Sequence, residues 1–515
     1  MSTFPKNIKV SIDEGRYWEG LGRQEMDFHQ VVGELIDNSI SASGKDSEGD
    51  LLPFKIEVTL EKLGNKIRVK VADEGIGMSV KEITKYIFCL GGKGRSEGPL
   101  NEHGFGLKNA LCVLTIGNRL PWIIETRDDV AVSKSEVYLV KGPFSSEMRL
   151  ELGDLSGWNE GLKHVTGQRG TRVYAETTFE FFNTLYHRAR TFETLVERFI
   201  EHLGVMYRGF LSNPHNKMWL RWRNLGDDED NPNLNAEWEE FRVKSICIPY
   251  DAGGSQTTEI EIDGPEGKAK AVYIRGNLDV EKVKDPSLGK PYPLKIHYQG
   301  NIPTQGIDVI VRGRVLKTGQ LPELWPWPPE EGGVQRHNDF NKFVGELILN
   351  DPKFRTVNNK IGLDPHDPYW RALLEKLNDD DFKPQKITKA KIEIDLAKKL
   401  KTMLEGHYTG SRVQRNRPIW GGAGVKVDIF HELNNGEIHI YELKAGTAAP
   451  IDAYQLLMYW DGVVKDEGKS PKVGRLVAKE VPTAVKNVIS EINRRKDSLG
   501  NHYNLEGKRI EELGL

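Results

Sequence analysis

Glu34 and Asn38 stand four residues apart in the run Gly33-Glu34-Leu35-Ile36-Asp37-Asn38-Ser39. That spacing constrains the chain more than any other feature. Val32, Ile36 and Ile40 recur every fourth residue beside Val31 and Leu35, which predicts a helix over about 25–45. On a helix, residues i and i+4 share a face, so an acid and an amide here address one point. Alternating apolar residues then predict strands at 54–60 and 67–72, the second running into Asp73-Glu74-Gly75-Ile76-Gly77-Met78. Helix, paired strands and a glycine-bearing turn imply an α/β fold class.

Each of these residues suits a definite chemistry. A carboxylate at Glu34 can orient a water for attack on a phosphate, and the Asn38 amide oxygen is a hard ligand of the kind Mg²⁺ prefers. Asp73, at a strand end, can accept from an exocyclic amine such as that of adenine. Gly75 and Gly77 would let the backbone approach a base closely. Gly104-Phe105-Gly106-Leu107-Lys108 puts glycines at the start of a predicted helix over 107–114, whose free N–H groups suit a phosphate. A strand-rich stretch over about 121–176 ends in Gly170-Thr171-Arg172-Val173-Tyr174, and a helix over about 192–206 closes this first part.

In this order the motifs resemble those of the GHKL (Bergerat-fold) ATPases, which include gyrase-type topoisomerases, heat-shock chaperones, histidine kinases, mismatch-repair ATPases and MORC proteins. The resemblance implies that Glu34 is the general base, Asn38 the Mg²⁺ ligand and Asp73 the adenine contact. Gly75, Gly77 and Met78 belong to the second motif, and a lid over 91–108 brings Lys93, Gly104, Phe105, Gly106, Leu107 and Lys108 to the nucleotide. Thr171 belongs to the late Gly-Thr motif. Ser41 departs from the Asp that many relatives carry there. A strand-rich second part is similar to the transducer domains of the topoisomerase, mismatch-repair and MORC branches. Thr356-Val357-Asn358-Asn359-Lys360 resembles the MORC loop that carries a γ-phosphate lysine, which makes Lys360 a catalytic candidate.

The C-terminal part carries a second constellation. A helix over about 387–405 bears Glu393, a strand bears Asp428, and Asn434-Asn435-Gly436 signals a hairpin. The returning strand bears Glu442 and Lys444, whose spacing of two puts both side chains on one face. Two carboxylates from paired strands can hold a divalent cation while the lysine serves the scissile phosphate. With Gln455 and Tyr459 on the next helix, the set resembles RecB-like nucleases of the PD-(D/E)xK superfamily. That resemblance implies metal ligands Glu393, Asp428 and Glu442, a catalytic Lys444, and Gln455 and Tyr459 as an accessory motif. Asp395 is the alternative to Glu393. Arg412, Arg415, Arg417 and Lys426, with Arg494, Arg495 and Lys496, are candidate phosphate contacts.

At 515 residues the chain is too long for one core. The expected division is a Bergerat α/β sandwich at 1–210, an α/β transducer-like domain at 211–380 and a restriction-endonuclease-like α/β domain at 381–515. No apolar run approaches the roughly 18 residues of a membrane span. Met1-Ser2-Thr3-Phe4-Pro5-Lys6 lacks the pattern of a signal peptide, and Cys89, Cys112 and Cys247 form no CxxC pair. Both point to a reducing cytoplasm. A net charge of −3 confines any nucleic-acid surface to a local patch. The combined expectation is a nucleotide-gated homodimeric DNA clamp using ATP and Mg²⁺, with Mn²⁺ able to substitute at the nuclease site. It would act in prokaryotic defence against foreign DNA, alone or with an accessory protein encoded nearby. The alternatives are an ATP-gated clamp with an inactive nuclease fold and a DNA-repair nicking factor.

Overall fold

The computed structural model describes residues 13–88, 100, 106–189, 191–357, 361–384, 389–422 and 424–514. The chain forms two compact units, 1–384 and 385–515. No helix among the described residues is long and apolar enough to cross a membrane.

The first unit contains two sheets. Strands β1 (Lys55–Leu63), β2 (Lys66–Asp73), β3 (Trp122–Arg127), β4 (Tyr138–Lys141), β5 (Leu150–Leu152), β6 (Gly170–Thr178), β7 (Lys217–Asn224) and β8 (Glu239–Arg242) form an eight-stranded sheet of order β5-β4-β3-β6-β2-β1-β7-β8. Alternation decides its faces. Ile56, Val58 and Leu60 of β1 and Ile67, Val69 and Val71 of β2 pack under the helices Phe28–Ser41, Gly106–Leu114 and Phe192–Met206. From the other face of β1, the fully buried Glu57 accepts the N–H groups of Lys163, His164 and Val165 and an Arg221 guanidinium at 3.1 Å. A buried carboxylate is tolerable only with such donors.

The first helix is shorter than its periodicity suggests. The Asp27 N–H bonds the Gln30 side chain at 2.9 Å, fixing the start at Phe28, and the chain turns at Ala42–Ser43. The helix Glu14–Leu21, capped by Asp13, precedes it and has no counterpart in the sequence expectations. The eight-stranded sheet also runs well past residue 210, because β7 pairs in parallel with β1, Lys55 opposite Lys217.

Strands β9 (Tyr250–Gly264), β10 (Gly267–Leu278), β11 (Gly306–Val311), β12 (Arg314–Gln320) and β13 (Phe343–Leu349) form the second sheet, ordered β12-β11-β13-β10-β9. Helix Pro368–Leu377 covers it through Tyr369, Leu373 and Leu377. A short helix, Arg208–Leu211, is tied to the second sheet by ion pairs. Arg208 reaches Asp308 at 2.8 Å and Glu346 at 2.6 Å.

The second unit is a five-stranded sheet in sequential order: β14 (Arg412–Pro418), β15 (Lys426–Glu432), β16 (Ile438–Thr447), β17 (Val473–Glu480) and β18 (Leu505–Arg509). The first three are antiparallel and the last two join in parallel. Helices Pro450–Glu467 and Thr483–Asn493 pack into one core and Lys389–His407 into another.

Candidate functional site

Helix Phe28–Ser41 and the end of β2 meet at Asp73. This carboxylate is 4% exposed. Its Oδ1 accepts the Gly75 N–H at 2.8 Å and the Thr171 N–H at 3.2 Å, and its Oδ2 accepts from Ser39 Oγ at 3.1 Å. Burial raises its pKa against the pull of Arg172 and of these donors. Arg172 braces the Asp73 carbonyl, with its guanidinium 4.1 Å from the centre of the Trp158 indole. A carboxylate has about four acceptor positions, so Oδ2 keeps one for a further donor.

Asp73 lies on the wall of a cavity of about 150 Å³ that also gathers Asn38, Ile76, Gly77, Met78, Gly106, Leu107, Lys108 and Thr171. Eight residues singled out in the sequence therefore meet in one place. Asn38 Nδ2 is buried without a hydrogen bond, so its amide is uncommitted at that atom. Met78 N–H donates to Thr126 Oγ1 at 2.9 Å, and Thr126 Oγ1 lies 3.1 Å from Thr171 Oγ1. Lys93, Gly104, Phe105 and Lys360 lie outside the described residues.

The glycines also meet a structural need. A Cβ at Gly75 would stand 2.6 Å from the Ala42 carbonyl oxygen, and one at Gly77 would stand 2.0 Å from that of Arg127. Gly77 also has φ of +66°. The close approach they permit is of the protein to its own backbone, and Gly75 does not line the cavity.

Glu34 is fully buried and is also not a lining residue. Its Oε1 accepts from Arg314 Nη1 at 3.0 Å, and the same nitrogen bonds Asp37 Oδ2. Arg314 begins β12, 280 residues away in sequence. No spacing rule could have paired them.

The second constellation also converges. Glu442, 1% exposed, pairs through Oε1 with Lys444 Nζ at 2.7 Å, as the period-two spacing requires. Lys444 Nζ also contacts Gln455 Oε1 at 3.2 Å and Asp452 Oδ1 at 3.5 Å, and Gln455 donates to Tyr459 Oη at 2.7 Å. Asp428 Oδ2 accepts the Leu443 N–H at 2.8 Å. Burial and the neighbouring Asp428 push the Glu442 carboxyl up to about 8, and burial raises Asp428 as well. Burial opposes the Lys444 charge, but Glu442, Asp452 and Glu393 outweigh it and raise its pKa. Glu442 Oε2 is buried without a hydrogen-bond partner.

Glu393 lies near enough to raise both Asp428 and Lys444. Its Oε1 accepts the Ala445 N–H at 3.1 Å, and among the described residues no three His, Cys, Asp or Glu side chains group into a metal cage. Glu393 braces the strand beyond Lys444. Asp395, the alternative, is exposed and lies 3.5 Å from Lys398. Asp452 was missed, and only its N-terminal position on a helix facing Lys444 gives it away. Arg417 is likewise structural, bonded to Glu467 with its guanidinium 3.7 Å from the Phe430 ring centre.

Comparison with known proteins finds a match for the segment that carries Asn38 and Asp73. Residues 23–131 match the family described as Histidine kinase-, DNA gyrase B-, and HSP90-like ATPase. This segment is a GHKL ATPase domain. The sensor histidine kinase DpiB of Escherichia coli (strain K12) is 34% identical over 86 residues, which cover 17% of this chain and 15% of that protein. The chain thus spans a small part of this relative's length.

Two solved structures align more extensively but loosely, each at 14% identity. One, the N-terminal domain of a DNA repair protein, covers 72% of this chain and 97% of its own, with a TM-score of 0.39. The other, the Aquifex aeolicus MutL ATPase domain complexed with ADP, covers 69% and 98%, with a TM-score of 0.26. Neither superposes closely enough to define a shared architecture.

Proposed function

We propose that this chain binds and hydrolyses ATP at the Asp73 cavity. The observation that carries the reading is Asp73 itself, a buried carboxylate on a cavity wall with three donors satisfied and one acceptor position open. An adenine amine is the kind of donor that position lacks. Asn38, on the same wall, offers an amide oxygen to Mg²⁺, which when bound would neutralise phosphate charge. Glu34, one turn earlier on the same helix, takes the proton from the attacking water. Calorimetric titration with ATP and a phosphate-release assay test this. Wild type is expected to bind and turn over ATP, and Asp73→Asn to lose binding. A wild-type protein that does not bind ATP would overturn it.

A second activity is favoured by the unpaired Glu442 Oε2 beside Asp428. Two raised carboxylates and an uncommitted buried oxygen suit a divalent cation, which would supply the positive charge they lack. Asp428 and Glu442 would hold Mg²⁺ or Mn²⁺, and Lys444 would steady the scissile phosphate of DNA. In this reading the ATP-bound form is a homodimer that closes on DNA and cuts it, in defence against foreign DNA. Light scattering with a non-hydrolysable ATP analogue, together with plasmid cleavage in Mg²⁺, tests both parts. An analogue-bound monomer removes the clamp, and an uncut plasmid removes the nuclease.

A further inference from the structure

Arg314 belongs to β12 of the second sheet, yet its guanidinium ends against the helix that carries Glu34. It is 3% exposed, and Nη1 reaches both Glu34 and Asp37. On the opposite side, Tyr207 Oη lies 2.9 Å from Asp37 Oδ1 and 2.9 Å from the Gly33 carbonyl oxygen. Gly33 makes the approach possible. A Cβ there would stand 3.0 Å from Arg314 Nη2 and 2.9 Å from Met206 Cε. Away from the carboxylates, Arg314 borders a cavity of about 410 Å³ lined also by His29 and Lys317, and its Nε makes no hydrogen bond. The guanidinium is thus anchored at the end that holds the acids, while Nε is buried without a hydrogen bond.

We propose that Arg314 is a positioning residue for hydrolysis, fixing the Glu34 carboxylate where it can take a proton from water and setting that position from the second sheet. The inference rests on the proposed role of Glu34 as base. A displacement of about 1 Å in a catalytic group can cost roughly a hundredfold in rate, so the placement of β12 would be read directly in turnover. Lysine cannot substitute fully, because its ammonium is a point charge on a flexible stem without the planar fork.

The test compares wild type, Glu34→Ala, Arg314→Lys and Gly33→Ala in the full chain with MgATP. Arg314→Lys and Gly33→Ala both leave a cation for the buried acids, so neither strips Glu34 and Asp37 of compensation. Each is expected to lower kcat about tenfold or more while KM and the calorimetric affinity for ATP stay within about threefold. Arg314→Ala is expected to be slower still, making Arg314→Lys a partial rescue. A merely structural arginine would move affinity and melting temperature together and leave no such split. Arg314→Lys with wild-type kcat would overturn the proposal, as would a loss confined to KM. Glu34→Ala with wild-type turnover would instead overturn the assignment of the base, so the two failures are distinguishable.

Discussion

At the N-terminal site Glu34 and Asp37 share a guanidinium nitrogen, and Asp73 is met by three donors. At the C-terminal site burial and the neighbouring Asp428 raise the Glu442 carboxyl, burial raises Asp428, Lys444 pairs with Glu442 Oε1, and Glu442 Oε2 is buried without a hydrogen bond. The first set of acids is compensated by the protein itself. The second is short of positive charge. Acids already matched can orient and abstract, whereas acids left short suit a cation. On the reading proposed above, the difference separates a site that works through positioning from one that works through a metal.

Removing an acid from the undercompensated site should give the largest effect. Asp428→Ala is expected to reduce Mg²⁺-dependent plasmid cleavage to background while ATP turnover is unchanged. Cleavage that persists would break the contrast by showing that this carboxylate holds nothing. Glu34→Ala is expected to slow ATP hydrolysis by about 10²–10⁴-fold with ATP affinity retained, the usual range for a general base. Equal losses of rate and affinity would mean that Glu34 contributes to binding.

Gln455→Ala sharpens the comparison further. It removes one contact to a charged lysine that keeps Glu442 and Asp452, so a loss of about tenfold in cleavage is expected, equivalent to one such hydrogen bond. The smallest effect is on stability. The Glu442 carboxyl lies at about 8 in the folded chain against 4.5 ordinarily. The folded state therefore keeps a proton that the unfolded chain releases. This contribution is complete below about pH 4.5 and is lost as pH rises to about 8. Melting curves across that window should fall more steeply for wild type than for Glu442→Gln, and Mg²⁺ should narrow the gap at the alkaline end. Parallel curves would show that Glu442 is not short of charge.

Much of both sites was legible because it lies in local geometry. The helix that carries Glu34 and Asn38 follows from periodicity, although only Asn38 lines the cavity, while Glu442 and Lys444 follow from strand alternation and the hairpin between Asp428 and Glu442 from Asn434-Asn435-Gly436. What escaped is what the chain brings from afar. Arg314 reaches Glu34 across 280 residues, and Asp452 and Glu393 matter only through where their helices pack. The glycine-bearing turn was legible as a turn, but its reason was not. Whether an absent Cβ spares a ligand or a carbonyl such as that of Arg127 depends on a neighbouring strand which the local sequence does not name. The lengths of helices were misjudged where side-chain caps, such as Gln30 on Asp27, outweigh periodicity.

The parallel pairing of β1 with β7 sets an order of events during synthesis. β1 is made early, but its partner on that side, Lys217–Asn224, leaves the ribosome 162 residues later. Until then the edge of β1 presents unpaired N–H and C=O groups, a template on which other chains can add. Contacts this distant in sequence also form slowly. A nascent chain therefore carries most of its nucleotide pocket, with β2 and Asp73 one strand in from that edge, well before the sheet can be sealed. A fragment ending at about residue 210 would keep that edge permanently exposed, and self-association is its expected fate.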